Sequence, residues 1–273
     1  MHPILWRYGS FSLYSYSAMI WLGIVSAIAY TQWQCRRISM PNGGRTEHYD
    51  LHILDGALWT LAGGLIGARL AYVVPNWADY AHNPTALLSF WGGGLVFQGG
   101  LIGGTLALLL YSAFTGLSFF HLIDLAAPAV SLGQALGWIG AWTHGANYGL
   151  VLRSPLSVWS PDLYGVYAPR FPTQAFACAM GILLFLGLHR LSRFHLRPGS
   201  LGLIYLFCNG FGHFLLEFTR ADEAPYWGFL RITQVAEFIE AMIAAALLYL
   251  WFRQKAKREG KQDDYIKSWP GTT

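Results

Sequence analysis

The chain has 273 residues, of which 54% are hydrophobic and only 12% are charged, and its formal net charge is +4. This composition excludes an ordinary soluble domain and is typical of a membrane protein. The excess of positive charge does not indicate nucleic-acid binding, because Lys and Arg cluster in the loops and the tail that flank apolar stretches.

Seven apolar stretches of the sequence are each long enough to cross a hydrocarbon layer of about 30 Å, which takes about 20 helical residues. We expect transmembrane helices near residues 11–31, 53–75, 95–115, 121–142, 172–190, 199–219 and 231–252. The first stretch is too long for the apolar region of a cleaved signal peptide, so we interpret it as a permanent anchor. The predicted fold is an all-α integral membrane domain with seven transmembrane helices over residues 1–252, followed by a polar cytoplasmic tail over residues 253–273.

Basic residues follow the first, fifth and seventh stretches. They are Arg36, Arg37, Arg45, Arg190, Arg193, Arg197, Arg253, Lys255, Lys257, Arg258, Lys261 and Lys267. By the positive-inside rule these three places are cytoplasmic. The N-terminus is then outside and the C-terminus cytoplasmic, which requires an odd number of spans and agrees with seven.

A glycine-rich run extends from Phe90 to Gly104, and Gln98 is its only polar side chain that can both donate and accept hydrogen bonds. Each interior glycine costs a helix about 1 kcal/mol relative to alanine, so the run does more than cross the membrane. Small-xxx-small spacing connects the run with the second stretch, through Gly63, Gly64, Gly67, Gly99, Gly100, Gly103 and Gly104. Two interpretations remain open: close packing of helices, or bare backbone that lets a lipid head group or a peptide approach. Residues 84–94 are expected to form a short element at the interface.

Ionisable side chains within membrane spans are costly and point to function. Four stand out here: Arg69, Asp124, Glu217 and Arg220. Arg69 and Arg220 lie near outer ends of spans, where they either snorkel to the interface or bind phosphate. Asp124 lies at the start of the fourth span, and because aspartate is favourable at a helix N-terminus we interpret it as structural.

Two histidines lie near these charges. His213 is four residues before Glu217 and so shares its helical face, and Arg220 is three residues after it, so an ion pair inside the bundle is the simplest account. His144 lies at the outer mouth of the fourth span, either as a structural hydrogen-bonding group or as a base.

The longest stretch outside the membrane is residues 145–171, and a second outer connection, residues 220–225, has the densest external charge, so the outer face holds most of the candidate chemistry. The cysteines are Cys35, Cys178 and Cys208, and their spacing fits neither a disulfide pair nor a metal site. We interpret them as small hydrophobic residues or interface thiols, and we predict no metal.

Several segments, in this order, resemble the prolipoprotein diacylglyceryl transferases, which are integral membrane enzymes of bacteria. The strongest is Trp91-Gly-Gly-Gly-Leu-Val-Phe-Gln-Gly-Gly-Leu-Ile-Gly103, which is similar to a glycine-rich stretch of that family with a His-Gly-Gly motif. The others are Ser15-Tyr16, Gly67-Ala-Arg-Leu-Ala-Tyr72, Ser118-Phe-Phe-His-Leu-Ile-Asp-Leu-Ala-Ala-Pro128, Gly137-Trp-Ile-Gly140 through Gly149, Pro169-Arg-Phe-Pro-Thr-Gln174 and Leu216-Glu-Phe-Thr-Arg220. The resemblance covers residues 10 to about 245 and also implies seven helices with the N-terminus outside.

The resemblance implies transfer of the diacylglyceryl group from phosphatidylglycerol to the lipobox cysteine thiol of a secreted lipoprotein precursor, with release of glycerol phosphate, in the bacterial inner membrane. This reaction needs a thiolate, because a free thiol of pKa about 8.5 is mostly protonated at neutral pH. It also needs cations that hold the phosphate. No metal or soluble cofactor is implied.

The chain departs from the family pattern at several positions of the site. Gln98 stands where the family has histidine, and glutamine cannot act as a base at neutral pH. Trp138 and His213 stand where the family has arginine. Two family asparagines are replaced by Ala141 and His144, and a glutamate is replaced by Ala146.

The positions that match the family are Tyr16, Arg69, Gly99, Gly100, Gly149, Gln174, Glu217 and Arg220. Tyr16 is either a site residue or a core aromatic. We predict His144, Gln98 and Tyr16 as catalytic residues. The predicted lipid-binding or phosphate-binding residues are Arg69, Gly99, Gly100, Gln174, His213, Glu217 and Arg220.

Two functions remain open. One is a divergent transferase that acts on phosphatidylglycerol or another phospholipid, and the other is a non-catalytic relative that binds lipid as a subunit of a membrane complex. A retinal-type photoreceptor is excluded, because it needs a lysine within the bundle and every Lys lies at or beyond Lys255. A transporter is disfavoured by the lack of paired broken helices.

Overall fold

A computed structural model describes residues 4–8, 11–39, 46–81, 84–88, 94–194 and 196–267. Over these residues the protein is mostly helical. The helices are α1 (Ser15–Ser39), α2 (Thr46–Val73), α3 (Trp77–Ala81), α4 (Phe97–Thr115), α5 (Phe119–His144), α6 (Thr173–Leu191), α7 (Ser200–Glu217) and α8 (Ile232–Lys267).

Five helices of the described residues are long and apolar enough to cross a membrane. They comprise His52–Val73, Phe97–Thr115, Phe119–His144, Thr173–Leu191 and Ile232–Arg253. Helices α1 and α7 are also at least 18 residues long but fall outside this group. In α7 the polar residues Asn209, His213 and Glu217 lower the mean hydropathy, and all three are buried against the rest of the protein.

The distribution of side chains is the reverse of that in a soluble protein. On α4, Ile102, Leu106 and Leu110 are between 52% and 63% exposed, whereas the polar residues Ser131 and Asn209 are at most 1% exposed. Apolar surface of this kind is favourable against lipid, in which polar groups must find partners inside the protein. The helical part of the chain is therefore suited to a bilayer.

The described residues also form three short antiparallel strand pairs, one before α1 and two between later helices, which the sequence did not predict. The paired strands are β1 (Ile4–Tyr8) with β2 (Phe11–Tyr14), β3 (Val158–Pro161) with β4 (Tyr167–Arg170), and β5 (Tyr226–Trp227) with β6 (Leu230–Arg231). Strands of two to five residues carry too little side-chain alternation to be recognised in a sequence. The fold is thus helical, with short strand pairs before and between its helices.

Glycines bring α2 and α4 into backbone contact. A Cβ atom on Gly67 would lie 2.3 Å from the carbonyl oxygen of Gly99, and one on Gly103 would lie 2.3 Å from that of Gly63. Atoms cannot approach so closely, so these positions require glycine. The geometry favours the packing interpretation of the glycine-rich run, although residues 90–93 lie outside the described residues.

Asp124 connects two helices near their cytoplasmic ends as the sequence orients them. Its carboxylate accepts hydrogen bonds from the backbone N–H groups of Gly199, at 2.7 Å, and Gly202, at 3.0 Å. The acid therefore caps the N-terminus of α7 and not that of its own helix, α5.

The expected polar tail begins inside a helix. Helix α8 continues beyond Arg253 to Lys267, so the change in composition near residue 253 does not coincide with a helix end. Residues 84–88 form a short 3-10 helix, which agrees with a small element before α4, but most of the rest of segment 84–94 lies outside the described residues.

Candidate functional site

A cavity of about 770 Å³ lies among α1, α2, α4, α5, α7 and α8. Its lining includes apolar side chains, among them Ile20, Ile24, Leu122 and Leu125. It also includes polar side chains from all six helices and from the connection after α7. The cavity therefore combines the two kinds of surface that an amphipathic molecule requires.

The structure places five of the predicted site residues on the wall of this cavity. They are Tyr16, Gln98, His213, Glu217 and Arg220. Gln98 lies in the first turn of α4, and Tyr16 lies in the first turn of α1. His213 and Glu217 lie one turn apart on the buried face of α7.

His213 is held by an aromatic ring and an amide. The Trp138 ring stacks on it with centroids 5.4 Å apart and an interplanar angle of 20°. The amide nitrogen of Gln134 donates to Nε2 of His213 at 3.0 Å, and the Tyr205 hydroxyl donates to Oε1 of Gln134 at 3.3 Å. Because Nε2 accepts this hydrogen bond, a neutral ring carries its proton on Nδ1.

Arg220 belongs to a network of two arginines and two acids. Its Nη1 pairs with Glu217, its Nε donates to Oδ1 of Asp222 at 2.9 Å, and its Nη2 donates to Oδ1 of Asn147 at 3.0 Å. Arg231 Nη1 lies 3.1 Å from Oδ1 of Asp222 and 3.4 Å from Oε2 of Glu217. In this network each arginine contacts both acids, so the four formal charges balance.

The network shifts the titration of its members in the connection between α7 and α8. Burial by itself lowers the pKa of Arg220, but the hydrogen bond and charge of Asp222 and the charge of Glu217 raise it above its ordinary value. Burial raises the pKa of Asp222, but Arg220 and Arg231 outweigh that effect and hold it below its usual range. Both groups therefore stay charged at neutral pH.

His144 lies at the end of α5 and is not among the residues that line the cavity. Its ring lies 5.7 Å from that of Tyr16, centroid to centroid, and Tyr16 does line the cavity. The two predicted catalytic residues are thus neighbours, and Tyr16 is the one nearer to the space that a substrate would occupy.

Four other predicted site residues lie behind the cavity wall. Arg69 donates to the carbonyl oxygens of Ala86 at 2.7 Å, Leu87 at 3.1 Å and Gly94 at 3.1 Å, so it fastens the segment before Gln98 to the end of α2. Gln174 is buried and donates to the carbonyl oxygen of Ala146 at 2.9 Å.

Gly99 and Gly100 differ from each other in their surroundings. A Cβ atom on Gly99 would lie 2.3 Å from Cβ of Ala71, whereas one on Gly100 would have its nearest neighbour, the carbonyl oxygen of Gly64, at 3.4 Å. Gly99 therefore requires glycine for helix packing, and Gly100 has space for a methyl group.

Two acidic residues of the cavity wall, Glu237 and Glu240 on α8, were not singled out from the sequence. The same signal that identified Glu217, an acid within an apolar span, applies to both of them. They lie three residues apart on one helical face, and Asn209 of α7 lines the same cavity.

Comparisons with known proteins agree on one family. The family model described as prolipoprotein diacylglyceryl transferase matches residues 3–252. A relative in Bacillus licheniformis, named phosphatidylglycerol–prolipoprotein diacylglyceryl transferase, is 30% identical over 258 residues, which cover 91% of this chain and 92% of the relative. Relatives with the same name in Pseudomonas aeruginosa and Synechocystis are 30% and 27% identical, and the matches cover 91% and 97% of this chain and 92% and 95% of the relatives.

Proposed function

The chain belongs to the prolipoprotein diacylglyceryl transferase family, and on that basis we propose that it transfers the diacylglyceryl group of a phospholipid to a lipobox cysteine thiol in a secreted precursor. The observation that carries this proposal is the cavity, whose lining combines apolar side chains with five of the predicted site residues. A diacyl lipid likewise combines apolar chains with a polar head.

The proposed arrangement in the membrane has seven spans, with the N-terminus outside and the C-terminus in the cytoplasm of a bacterium, in the inner membrane. The basic clusters at and beyond the C-terminal ends of α1 and α6 and in the C-terminal part of α8 support this orientation. It places Tyr16, His144 and Arg220 near the outer face, where a secreted precursor is accessible.

The proposed reaction exchanges one bond for another. The cysteine sulfur attacks the glycerol carbon, the carbon–oxygen bond to the phosphate breaks, and the phosphate leaves with the bonding electrons. A base must take the thiol proton, since the thiolate is the nucleophile. We assign this role to His144 with Tyr16 as its neighbour, while Gln98 hydrogen-bonds the reactants.

We assign the phosphate to Arg220 and His213, with Glu217 holding the Arg220 guanidinium in place. Arg69, Gly99 and Gln174 act through the wall, because their contacts position the segments that carry Gln98 and Asn147, whereas Gly100 makes no such tight contact. Charge-assisted hydrogen bonds to a leaving phosphate stabilise the transition state.

A second function is favoured by the stacked pair of Trp138 and His213. Both stand at positions where the resemblance expects arginine, so fewer guanidinium groups are available here to bind a phosphate. A relative that binds lipid without transferring it, as a subunit of a membrane complex, fits this difference.

The two functions separate in an assay of the purified full chain with labelled phosphatidylglycerol and a lipobox peptide. Transfer predicts a thioether product on the peptide, and a peptide with serine in place of cysteine is the control. Absence of product while lipid still co-purifies with the protein would contradict transfer and support the lipid-binding function.

A further inference from the structure

The hairpin of β5 and β6 has two sides with opposite surroundings. On β6 the side chain of Arg231 is buried, and its guanidinium group donates to the carbonyl oxygens of Asp222 at 2.7 Å and Arg220 at 3.1 Å. Strand β5 and the turn carry three large aromatic side chains that are 61%, 72% and 87% exposed, respectively: Tyr226, Trp227 and Phe229. One strand is thus fastened to the protein, and the rest of the hairpin presents aromatic rings outward.

The hairpin is short and closed at both ends. Trp227 pairs with Leu230, which leaves a two-residue turn, and Gly228 in that turn has a φ of 64°, which glycine adopts without steric cost. At the base, the backbone N–H of Ile232 donates to the carbonyl oxygen of Pro225 at 3.0 Å. The tip therefore stays close to the first residue of α8.

Helix α8 fixes the depth of this tip. The span Ile232–Arg253 has 22 residues, or about 33 Å at 1.5 Å per residue, which matches a hydrocarbon layer of about 30 Å. Ile232 then lies at one boundary of that layer. Phe229 precedes it by three residues, so the two Cα atoms are at most about 11 Å apart. The tip is therefore held in or next to the head-group layer, which adds about 5–7 Å on each side of the hydrocarbon.

The composition of the hairpin suits this depth. Residues 226–230 carry no formal charge, and three of the five are aromatic. Large apolar rings are costly in water, whereas Trp and Tyr are enriched at the boundary between lipid and water because their rings are amphipathic. The exposed side of the hairpin therefore matches a lipid interface better than it matches water or a charged partner.

We propose that this hairpin inserts Trp227 and Phe229 into the interface of the surrounding phospholipid leaflet, which is the outer leaflet in the orientation proposed above. The inference concerns attachment to the lipid surface and does not depend on the proposed reaction. Arg231 belongs to the same hairpin and holds the backbone of Arg220. Insertion of the tip therefore keeps Arg220, to which we assign the phosphate, at the depth of the phospholipid head groups.

The test measures tryptophan fluorescence of the full chain in phosphatidylglycerol-containing vesicles. Some vesicles carry lipids brominated near the carboxyl end of the acyl chains, others carry lipids brominated near the methyl end, and acrylamide is the quencher in water. The chain has 12 tryptophans, so the signal of Trp227 is the difference between the parent and Trp227→Phe, which keeps an aromatic ring. We expect this signal to fall by about half or more with bromine near the carboxyl end, to fall less with bromine near the methyl end, and to change little with acrylamide.

Trp59→Phe is the matched control for depth. Trp59 lies on α2 inside the span His52–Val73, about 10 Å from its start, and is also exposed on the surface of the protein. Its difference signal should fall most with bromine near the methyl end. A correct order for Trp59 shows that the two brominated lipids resolve depth.

Quenching of the Trp227 signal by acrylamide, without quenching by either brominated lipid, would overturn the proposal and place the tip in water. A Trp227 signal that none of the quenchers reaches would also overturn it, because the tip would then be covered by protein, such as a second copy of this chain. Interfacial quenching without thioether formation contradicts only the proposed transfer, whereas thioether formation with Trp227 in water contradicts only this inference.

Discussion

At the scale of single residues, the site differs from the pattern that the resemblance implies in the position of its basic groups. His213 is stacked on Trp138 and accepts a hydrogen bond from Gln134, and Gln98 stands where the resemblance expects histidine. An amide can orient a reactant but cannot take a proton, so the proposed base has to come from elsewhere. We propose that His144, whose ring lies 5.7 Å from that of Tyr16, supplies it.

This assignment predicts opposite effects of two substitutions on thioether formation. His144→Ala should reduce the rate at least a hundredfold, and Gln98→His should raise it about tenfold or more, because general-base catalysis contributes typically 10² to 10⁴. His121→Ala, at the other end of α5, is the control for His144→Ala and should leave the rate unchanged. If both site variants match the parent, His144 and Gln98 are wrongly assigned.

Asp222 gives a prediction about acid stability. Its pKa lies below the usual range because of Arg220 and Arg231, which outweigh the opposite effect of burial. The stabilisation is therefore complete above the unfolded pKa of about 3.9 and is lost as the pH falls through the lower folded value.

Asp222→Asn should lower the apparent Tm at pH 7, by the equivalent of about 1–3 kcal/mol, and the difference from the parent should shrink below about pH 4. Asp79→Asn, at an exposed position of α3, is the control. A deficit that stays constant from pH 7 to pH 3 would show that the charge of Asp222 is not what matters.

At the scale of elements, the long helices could be predicted and their contacts could not. An apolar stretch of about 20 residues is a strong signal, so the predicted spans lie within a few residues of most helix ends. The alignment of one helix against another leaves no periodic signal, which is why the partner of Asp124 on α7 was not foreseen. For the same reason Arg69 was predicted to bind a ligand, whereas its guanidinium group donates to backbone carbonyl oxygens of the segment that follows α3, such as that of Ala86.

The contact between α2 and α4 predicts a contrast between two glycines of one helix. Gly103→Ala should lower the apparent Tm markedly, by the equivalent of about 1–3 kcal/mol, because the added methyl would lie 2.3 Å from the backbone oxygen of Gly63. Gly100→Ala, where the nearest atom is 3.4 Å away, should have almost no effect. Equal Tm values for the two variants would contradict the packing interpretation.

At the scale of the whole molecule, the cavity joins residues from six helices that are far apart in the sequence. Four of the five predicted site residues meet there because each lies on a face of its helix that turns inward, and Arg220 reaches the cavity from the connection after α7. A sequence determines the position of a residue along a helix but not which neighbouring helix that residue faces. It therefore did not reveal that Glu237 and Glu240 line this cavity.

The cavity itself can be tested by filling it. Gly137 lines it, and a Cβ atom there meets nothing within 4 Å, so Gly137→Leu should fold and reduce lipid binding at least tenfold by occupying the space. Gly187→Leu is the control, since Gly187 has equally open surroundings but does not line the cavity. Lipid binding and transfer that survive Gly137→Leu unchanged would mean that the lipid binds elsewhere.

The central claim is that this chain moves a diacylglyceryl group from a phospholipid to a cysteine thiol, and a doubly labelled donor tests it most directly. With one label in the acyl chains and another in the head group, the purified chain and a lipobox peptide should give a peptide that carries only the acyl label. The head-group label should appear in a released phosphate ester. A peptide that stays unlabelled, with both labels still in intact lipid bound to the protein, would contradict the claim.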